Sequence, residues 1–288
     1  MNIACYTIIS HDHDLLRWCI NNARERAGIG HRWMLINWIN EGMDSNMAAE
    51  RICRWCIANN VGYYPYKAVP QSQFPDRTKW FLHNLYACWN LGYEHAEKDE
   101  FVARLGSDQF FSQGWLGDLA IASKKSRGKG VYHCWSVESI LAGGQRHPII
   151  SAGTNFRDFS VGEFEKYVAK WKKSIGSERV VEGSQCGLAF NHPKRGAQIR
   201  PDGLTWLQSR KLWEKFGPMR GDINEEGVTG DVDYMDRMTD AGVPQYSVRS
   251  CLSFHLVRGE TRQEESTVSM KAIPVTGPHS IAQTEDQL

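Results

Sequence analysis

The first 137 residues alternate between short apolar runs and longer amphipathic stretches. The apolar runs are nearly continuous, which is typical of strands that are buried on both faces of a parallel sheet. The amphipathic stretches follow the helical period, and several stop at glycine or asparagine. The predicted strands are residues 3–9, 32–38, 62–66 and 101–105, and the predicted helices are residues 15–28, 47–59 and 77–97. This alternation predicts an α/β fold with a Rossmann-like, mostly parallel central sheet, flanked by helices and joined by right-handed crossovers.

The second part of the chain is less regular. Residues 143–158 contain glycine, proline and asparagine and are predicted to form a loop, whereas residues 263–288 are polar and lack sustained periodicity. The other predicted elements are helices at 115–123, 161–173, 203–216 and 231–241 and strands at 131–137, 185–190 and 246–254. We therefore expect one domain over residues 1–262, built from halves 1–137 and 138–262, with a C-terminal tail at 263–288.

Composition narrows the class of protein only slightly. The 288 residues are 41% hydrophobic and 23% charged, and their net charge of +1 does not suggest a strong nucleic-acid binder. No run of about 18 apolar residues is present, and the N-terminus lacks the features of a signal peptide. The 8 cysteines are scattered in mostly apolar contexts, without zinc-ligand spacing. We therefore expect reduced thiols and a cytoplasmic protein.

Three ionisable residues lie at the end of a predicted strand or at the start of a predicted helix. Asp108 follows the strand at 101–105, Asp231 begins a helix, and His255 follows the last strand. Open α/β sheets bind ligands at the carboxyl ends of their strands. Carboxylate and imidazole groups bind Mg²⁺ or Mn²⁺, and such a cation can bridge a diphosphate. Each residue also has a simpler explanation, because aspartates cap helices or form turns and histidines pack against strands.

Four segments carry a likeness to a known family. They read ACYTIISHDHDLLRWCINN, NLYACWNLGYEHAEKDEFVARLGSDQ, KLWEKFGPMRGDINEEGVTGDVDYMDRMTDAGV and SFHLVRGETR. The first is similar to a nucleotide-binding first strand and helix, and the second to a helix followed by a DxD strand. The third is similar to an acceptor-side segment with an acidic pair, and the fourth to a terminal strand with a metal-binding histidine. Up to about residue 262, the chain therefore resembles the family-2-like glycosyltransferases of the GT-A fold.

This resemblance implies a role for each of the three ionisable residues. Asp108 matches the second acidic position of the DxD motif and would contact a divalent cation, Mn²⁺ or Mg²⁺, on the diphosphate of a nucleotide-sugar donor, with His255 as the other protein ligand. Asp231 matches the catalytic base of inverting enzymes. The chain departs from the pattern at two positions, because Gly106 replaces the first acidic residue of the DxD motif and Gly230 stands where a glutamate is commoner.

The other candidate residues lie close to these positions. Trp115 is a candidate floor for the acceptor or the sugar, with a core role as the alternative, and Asp233 is the fallback base on the acceptor side. Asp231 and Asp233 are about 200° apart on a helix, so both cannot face one acceptor. Turn chemistry or surface solvation would explain several of the remaining candidates equally well. The candidates for nucleotide-sugar binding are Ser10, His11, Asp12, Asn37, Arg104, Ser107, Asp108, Gln109 and Arg258.

The leading hypothesis is a metal-assisted, inverting glycosyltransferase that acts on a hydroxyl acceptor. A hydroxylated DNA base, a protein side chain and a saccharide all stay open as acceptors, because residues 139–230 are the least familiar part of the chain. A sugar nucleotidyltransferase is one alternative, although the loop SHDHD after the first strand lacks the glycines that such enzymes use for phosphate binding. A non-catalytic saccharide- or nucleotide-sugar-binding protein on the same fold is the other alternative, and Gly106 supports it.

Overall fold

The computed structural model describes most of the chain up to residue 256. The described residues are 1–9, 14–138, 145–146, 150–153, 156–183, 187–192, 196–201, 205–222 and 230–256. Four of the candidate residues, together with the predicted tail at 263–288, lie outside them. Those four candidates are Ser10, His11, Asp12 and Arg258.

Helices and strands alternate through the first half of the chain. The helices are α1 (Asp14–Glu25), α2 (Met43–Ala58), α3 (Arg77–Glu94), α4 (Trp115–Lys125), α5 (Val161–Ser174), α6 (Arg210–Phe216) and α7 (Gly230–Asp240), with a 3₁₀ turn at Gln71–Gln73. The strands are β1 (Ile3–Ile9), β2 (Arg32–Ile39), β3 (Gly62–Lys67), β4 (Phe101–Leu105), β5 (Gln109–Phe111), β6 (Val131–Glu138), β7 (Gln145–Arg146), β8 (Val180–Glu182), β9 (Gly187–His192), β10 (Gly196–Pro201), β11 (Trp206–Ser209) and β12 (Gln245–His255). The helix α3 begins where predicted because Asp76 accepts a hydrogen bond from the Lys79 backbone N–H at 2.8 Å, which caps its first turn.

One large sheet organises the fold. Its strand order is β3-β2-β1-β4-β11-β6-β12-β5, and β8 pairs with β12. Strands β1 to β4, β6 and β12 run in one direction, whereas β5, β8 and β11 run in the other. A separate small sheet has the order β10-β9-β7. The predicted mostly parallel α/β sheet is therefore confirmed.

The register of the parallel strands brings their carboxyl ends together. Thr7 of β1 pairs with Leu105 of β4, and Ile9 pairs with Asn37 of β2. The carboxyl ends of β1, β2 and β4 therefore lie along one edge of the sheet. This is the edge at which open α/β sheets bind ligands.

Side chains of alternate residues in β1 enter two different hydrophobic cores. Ile3 and Cys5 pack under the helices α1, α2 and α4, whereas Ala4 and Tyr6 pack under α3 and α7. A third core joins α5 to β6 and β12 through an aromatic cluster that includes Phe164. Burial of both sheet faces explains the nearly continuous apolar runs of the central strands.

The prediction of a helix at residues 203–216 was wrong in its first half. The helix expected at 203–216 is interrupted, because Trp206–Ser209 forms β11 and only Arg210–Phe216 is helical. The strand β11 lies antiparallel between β4 and β6. Its backbone pairs with both neighbours, and its Trp206 side chain is fully buried on the α3 face. Four residues are too short for a periodic pattern, so sheet pairing decided their conformation.

The described helices do not meet the requirements for crossing a membrane. None of them combines the length and the apolar character that crossing a bilayer requires.

Candidate functional site

Asp108 and His255 meet where the chain bends between β4 and β5. The bend places Asp108 directly before β5, which pairs antiparallel with the end of β12 so that Gln109 lies opposite His255. The backbone N–H of Leu256 donates to the Asp108 carbonyl at 2.9 Å. As a result, His255 Nε2 lies 3.2 Å from Asp108 Oδ2. Backbone pairing therefore fixes the distance between the two side chains.

The pair offers the donor atoms that a divalent cation such as Mn²⁺ prefers. The Asp108 side chain is 21% exposed and the His255 side chain 8%, so the carboxylate opens toward solvent while the imidazole is enclosed. One carboxylate oxygen and one imidazole nitrogen at this separation fit a shared cation, which also needs oxygen ligands from elsewhere. Within the described part of the chain, no group of three or more histidine, cysteine, aspartate or glutamate side chains gathers as a metal site. Asp108 and His255 would therefore supply only part of the coordination that such a cation needs.

Gln109 supports the bend from inside the protein. It is fully buried, and its Oε1 accepts a hydrogen bond from the Gly106 backbone N–H at 3.1 Å. The same oxygen accepts from the Thr205 hydroxyl, and Nε2 donates to Ser253 Oγ at 3.2 Å. These bonds join the bend to β12 and to the residue before β11. Gln109 therefore positions the Asp108 backbone, and it offers no exposed surface to a nucleotide.

Gly106 has little space for a side chain. A Cβ atom at this position would lie 3.1 Å from Asp108 Oδ1 and 3.1 Å from Gln109 Oε1. Contacts this short require neighbouring atoms to move, and both neighbours here are polar oxygens. An aspartate at residue 106 would therefore crowd the carboxylate and amide groups that form the bend. A side chain at residue 106 would therefore require the Asp108 and Gln109 side chains to shift by a few tenths of an ångström.

A buried thiol lies close to the same bend. Burial raises the pKa of Cys19 well above its usual value, and the neighbouring Asp108 carboxylate raises it further, while a backbone hydrogen bond from Gln109 opposes these effects. Cys19 is therefore a neutral thiol at neutral pH. In this state it is a weak metal ligand.

Asp231 lies in the first turn of α7, against α3. The Tyr86 hydroxyl of α3 donates to Asp231 Oδ1 at 2.7 Å, and the Val232 backbone N–H donates to the same oxygen at 3.0 Å. The residue is only 7% exposed. The positive end of the helix dipole and two hydrogen bonds favour the charged carboxylate.

Asp233 is held by basic side chains instead. Its Oδ2 accepts from Arg237 Nε at 2.9 Å and lies 3.8 Å from Arg220 Nε. Arg237 also donates to the carbonyl of Pro218 at 2.9 Å, so this aspartate is part of the contacts between α7 and the segment before it. We therefore assign Asp233 to packing and leave it out of the proposed acceptor site.

Two other predicted site residues are buried in the sheet. Asn37 is buried, and its amide donates to the Tyr63 hydroxyl at 2.8 Å. Arg104 is 5% exposed, and its guanidinium lies between the rings of Trp89 and Trp206, 3.9 and 4.2 Å from their centroids. A phosphate at the sheet edge would therefore not reach the guanidinium without a rearrangement.

Trp115 is a core residue in this structure. It is 0% exposed, and its indole N–H donates to the Ala23 carbonyl at 2.8 Å. Its ring packs against Phe111, so no face of it is open to an acceptor, and we leave it out of the proposed site. Ser107, by contrast, is half-buried in the bend between Gly106 and Asp108.

Sequence reasoning missed Tyr86, although it lies in one of the family-like segments. The hydrogen bond from Tyr86 to Asp231 joins residues 145 positions apart. A tyrosine on the buried face of a predicted helix looks like any other core residue in a single sequence. Only the packing of α3 against α7 distinguishes it.

The structure has a GT-A-like fold, which confirms the predicted fold type. Among solved structures, GalNAc-T7 with UDP, GalNAc and Mn²⁺ matches with a TM-score of 0.51 and 9% identity, over 90% of this chain and 44% of that chain. S. aureus TarS residues 1–349 match with a TM-score of 0.47 and 11% identity, over 90% of this chain and 59% of that chain. This chain thus spans about half of each of these two solved chains. No protein-family model and no curated protein matches it.

Proposed function

We propose that this chain is a glycosyltransferase that transfers a sugar from a nucleoside diphosphate donor to a hydroxyl acceptor, with inversion at C1. The observation that carries the proposal is the Asp108–His255 pair, whose nearest side-chain atoms are 3.2 Å apart at the ligand-binding edge of the sheet. The GT-A-like fold supports it. GalNAc-T7, which has a similar fold, has been crystallised with UDP, GalNAc and Mn²⁺.

Asp108 and His255 are the residues that would hold a divalent cation, Mn²⁺ or Mg²⁺. When bound, such a cation neutralises the charge that grows on a departing nucleoside diphosphate. The partial exposure of Asp108 leaves its carboxylate accessible to a donor at the sheet edge. Ser107, in the same bend, is a candidate contact for the donor. We also propose that Ser10, His11 and Asp12 bind the base and ribose of the donor and that Arg258 binds its diphosphate.

Asp231 would act as the base in the transfer. Its carboxylate takes the proton from the acceptor hydroxyl as the oxygen attacks C1 of the sugar, and the bond from C1 to the diphosphate breaks with its electron pair leaving on the diphosphate. The hydrogen bonds from Tyr86 and from the Val232 backbone keep the carboxylate ionised before the acceptor binds. Its low exposure limits competition from bulk water.

A donor-binding protein without transferase activity is the second candidate. The observation in its favour is Gly106, because the bend Gly106–Asp108 then contains one carboxylate, that of Asp108, instead of two. Both candidates require the same donor site. They differ in whether the donor is consumed, so one experiment separates them.

The experiment measures release of nucleoside diphosphate from a panel of sugar nucleotides, with and without Mn²⁺, and donor binding by calorimetry. We expect slow release by hydrolysis and faster release with hydroxyl compounds in the panel. Asp231→Asn should lower release by about 10²- to 10⁴-fold and keep donor binding. The matched control is Asp240→Asn, which removes an exposed carboxylate from the far end of the same helix and should behave like the wild type. Donor binding without release, in the wild type and under every condition, would favour the binding protein.

A further inference from the structure

Tyr86 and Asp231 form a buried contact between two helices. Tyr86 lies on the inner face of α3 and is buried, with its ring against the start of α7. Its hydroxyl donates to Asp231 Oδ1 at 2.7 Å. A phenol is neutral, so this contact stabilises the carboxylate without adding a countercharge. Hydrogen bonds to charged acceptors in buried sites are about twice as strong as neutral ones.

Gly230 is what allows the Tyr86 ring to lie there. A Cβ atom on Gly230 would lie 2.7 Å from two carbons of the ring and 2.3 Å from the carbonyl oxygen of Arg220. Real Cβ atoms do not make such contacts, so the ring and the Arg220 backbone fill the space of a side chain at residue 230. The residue before Asp231 therefore cannot supply a polar side chain, and a side-chain hydroxyl from α3 donates to the carboxylate instead.

We propose that Tyr86 is a positioning residue for Asp231: its hydroxyl orients the carboxylate toward the acceptor and favours the ionised form. This rests on the proposed function, because it assumes that Asp231 is the base. Tyr86 itself need not touch the substrate. Removing the hydroxyl alone should therefore leave donor binding intact and change only how the base works.

Other titratable groups face this end of α7. Asp233 pairs with Arg237 on the same helix and with Arg220 on the preceding segment. His83 of α3 packs against Gly221. None of these contacts involves the Tyr86 hydroxyl, so a difference between the wild type and Tyr86→Phe reports the hydroxyl rather than this ion-pair cluster.

The first test compares pH profiles of nucleoside diphosphate release for the wild type and Tyr86→Phe. We expect kcat to fall about tenfold near neutral pH and the acid limb of the profile to move about one unit to higher pH, because the charged carboxylate loses a donor. KM for the donor should not change. The control is Tyr66→Phe, which removes a hydroxyl that donates to Asn84 of the same helix at 2.9 Å and should keep the wild-type profile.

Two outcomes would overturn the inference. One is a wild-type profile in Tyr86→Phe, and the other is a uniform loss of kcat at every pH together with a lower unfolding midpoint, which indicates a structural role only.

If Asp231→Asn stays active, the assignment of Asp231 as the base fails, and this inference fails with it. If Asp231→Asn is inactive and Tyr86→Phe is unaffected, the inference fails alone.

A second test needs no turnover. Urea unfolding is measured for Tyr86→Phe in the wild-type and Asp231→Asn backgrounds, at neutral and acidic pH. The hydroxyl favours the charged carboxylate, so its stabilising effect is present at neutral pH and is lost as pH falls and Asp231 is protonated. We therefore expect Tyr86→Phe to lower the urea midpoint more at neutral pH than at acidic pH. In the Asp231→Asn background, the effect of Tyr86→Phe on the midpoint should not depend on pH. The same midpoint shift in both backgrounds at both pH values would contradict the proposed contact.

Discussion

His255 Nε2 lies 3.2 Å from Asp108 Oδ2, although 147 positions separate the two residues in the chain. Two backbone features produce this contact: the bend after β4, which turns the chain back into β5, and the antiparallel pairing of β5 with the last residues of β12. The β12 strand also runs parallel to β6, so its end is held from both sides. The geometry of the pair therefore depends on the sheet and not on a flexible loop.

The Asp108–His255 pair predicts a measurable affinity for Mn²⁺ in the presence of UDP. Asp108→Asn and His255→Ala should each weaken Mn²⁺ binding by more than about tenfold. Loss of a residue that only orients a metal ligand already costs roughly tenfold, and a direct ligand contributes more. Isothermal titration calorimetry, or the electron paramagnetic resonance signal of free Mn²⁺, measures this directly.

Cys19→Ala is the control for this experiment. Cys19 lies near Asp108, but burial raises its pKa and keeps it a neutral thiol, so Mn²⁺ affinity should not change. The reverse result, in which the Cys19 variant binds Mn²⁺ weakly and the His255 variant binds it normally, would rule out the proposed ligand pair.

An added carboxylate at Gly106 should impair the site rather than improve it. The Cβ atom of Gly106→Asp would lie 3.1 Å from both Asp108 Oδ1 and Gln109 Oε1, and its charge would repel Asp108. We expect lower thermal stability and lower nucleoside diphosphate release. Gly106→Ala separates the two causes, because it introduces the crowding without the charge. Higher activity in Gly106→Asp would show that the bend has room for the second acidic group.

Gln109 should matter for stability more than for donor contact. Gln109→Leu keeps a side chain of similar size but leaves the Gly106 N–H and the Thr205 and Ser253 hydroxyls without their partner. We expect a loss on the order of 3 kcal/mol in the free energy of unfolding, measured by urea denaturation. Gln109→Glu is the companion variant, because it keeps the shape and places a charge beside Asp108. A wild-type unfolding midpoint in both variants would contradict the supporting role of this residue.

The parallel half of the fold could be predicted from its sequence. The strand at Phe101–Leu105 was predicted with the bounds that the structure has, and the predicted strand and helix starts at Arg32 and Arg77 agree as well. The strands are nearly continuous apolar runs because both sheet faces are buried, and the helices are long enough for their period to be read. The short strands β5 and β11 could not be predicted, because a few residues carry no period and pairing with distant strands decides their conformation.

The candidate site could be predicted in its ionisable residues but not in their surroundings. Asp108 and His255 were named from their position after strands, and the structure brings their side chains together. Arg104 and Gln109 were named because they are polar residues close to Asp108, but both point into the protein, because side chains alternate between the faces of a strand. A sequence gives the order of residues along a strand, whereas the packing partners that decide which face is open come from distant segments.

Asp231 and Asp233 should respond differently to the same substitution. Asp231→Asn should reduce kcat by about 10²- to 10⁴-fold, the usual range for a general base, with little change in the unfolding midpoint. Asp233→Asn should instead lower stability by about 1–3 kcal/mol, because Arg237 and Arg220 lose their charged partner, and should change kcat only slightly. Kinetics and denaturation on the same preparations measure both. The opposite pattern would move the base from Asp231 to Asp233.

The start of α7 should tolerate no side chain at Gly230. In Gly230→Ala the new methyl group would collide with the Arg220 carbonyl at 2.3 Å and with the Tyr86 ring at 2.7 Å, so the helix start and the ring must move apart. We expect a loss of about 1–3 kcal/mol in the free energy of unfolding, typical of an overpacked site, and a fall in kcat as the bond from Tyr86 to Asp231 lengthens. Gly30→Ala is the matched control, because a Cβ atom there would contact nothing within 4 Å. Equal unfolding midpoints for the two variants would mean that the contact between α3 and α7 is looser than the structure indicates, and the positioning of Asp231 by Tyr86 would then lose its packing basis.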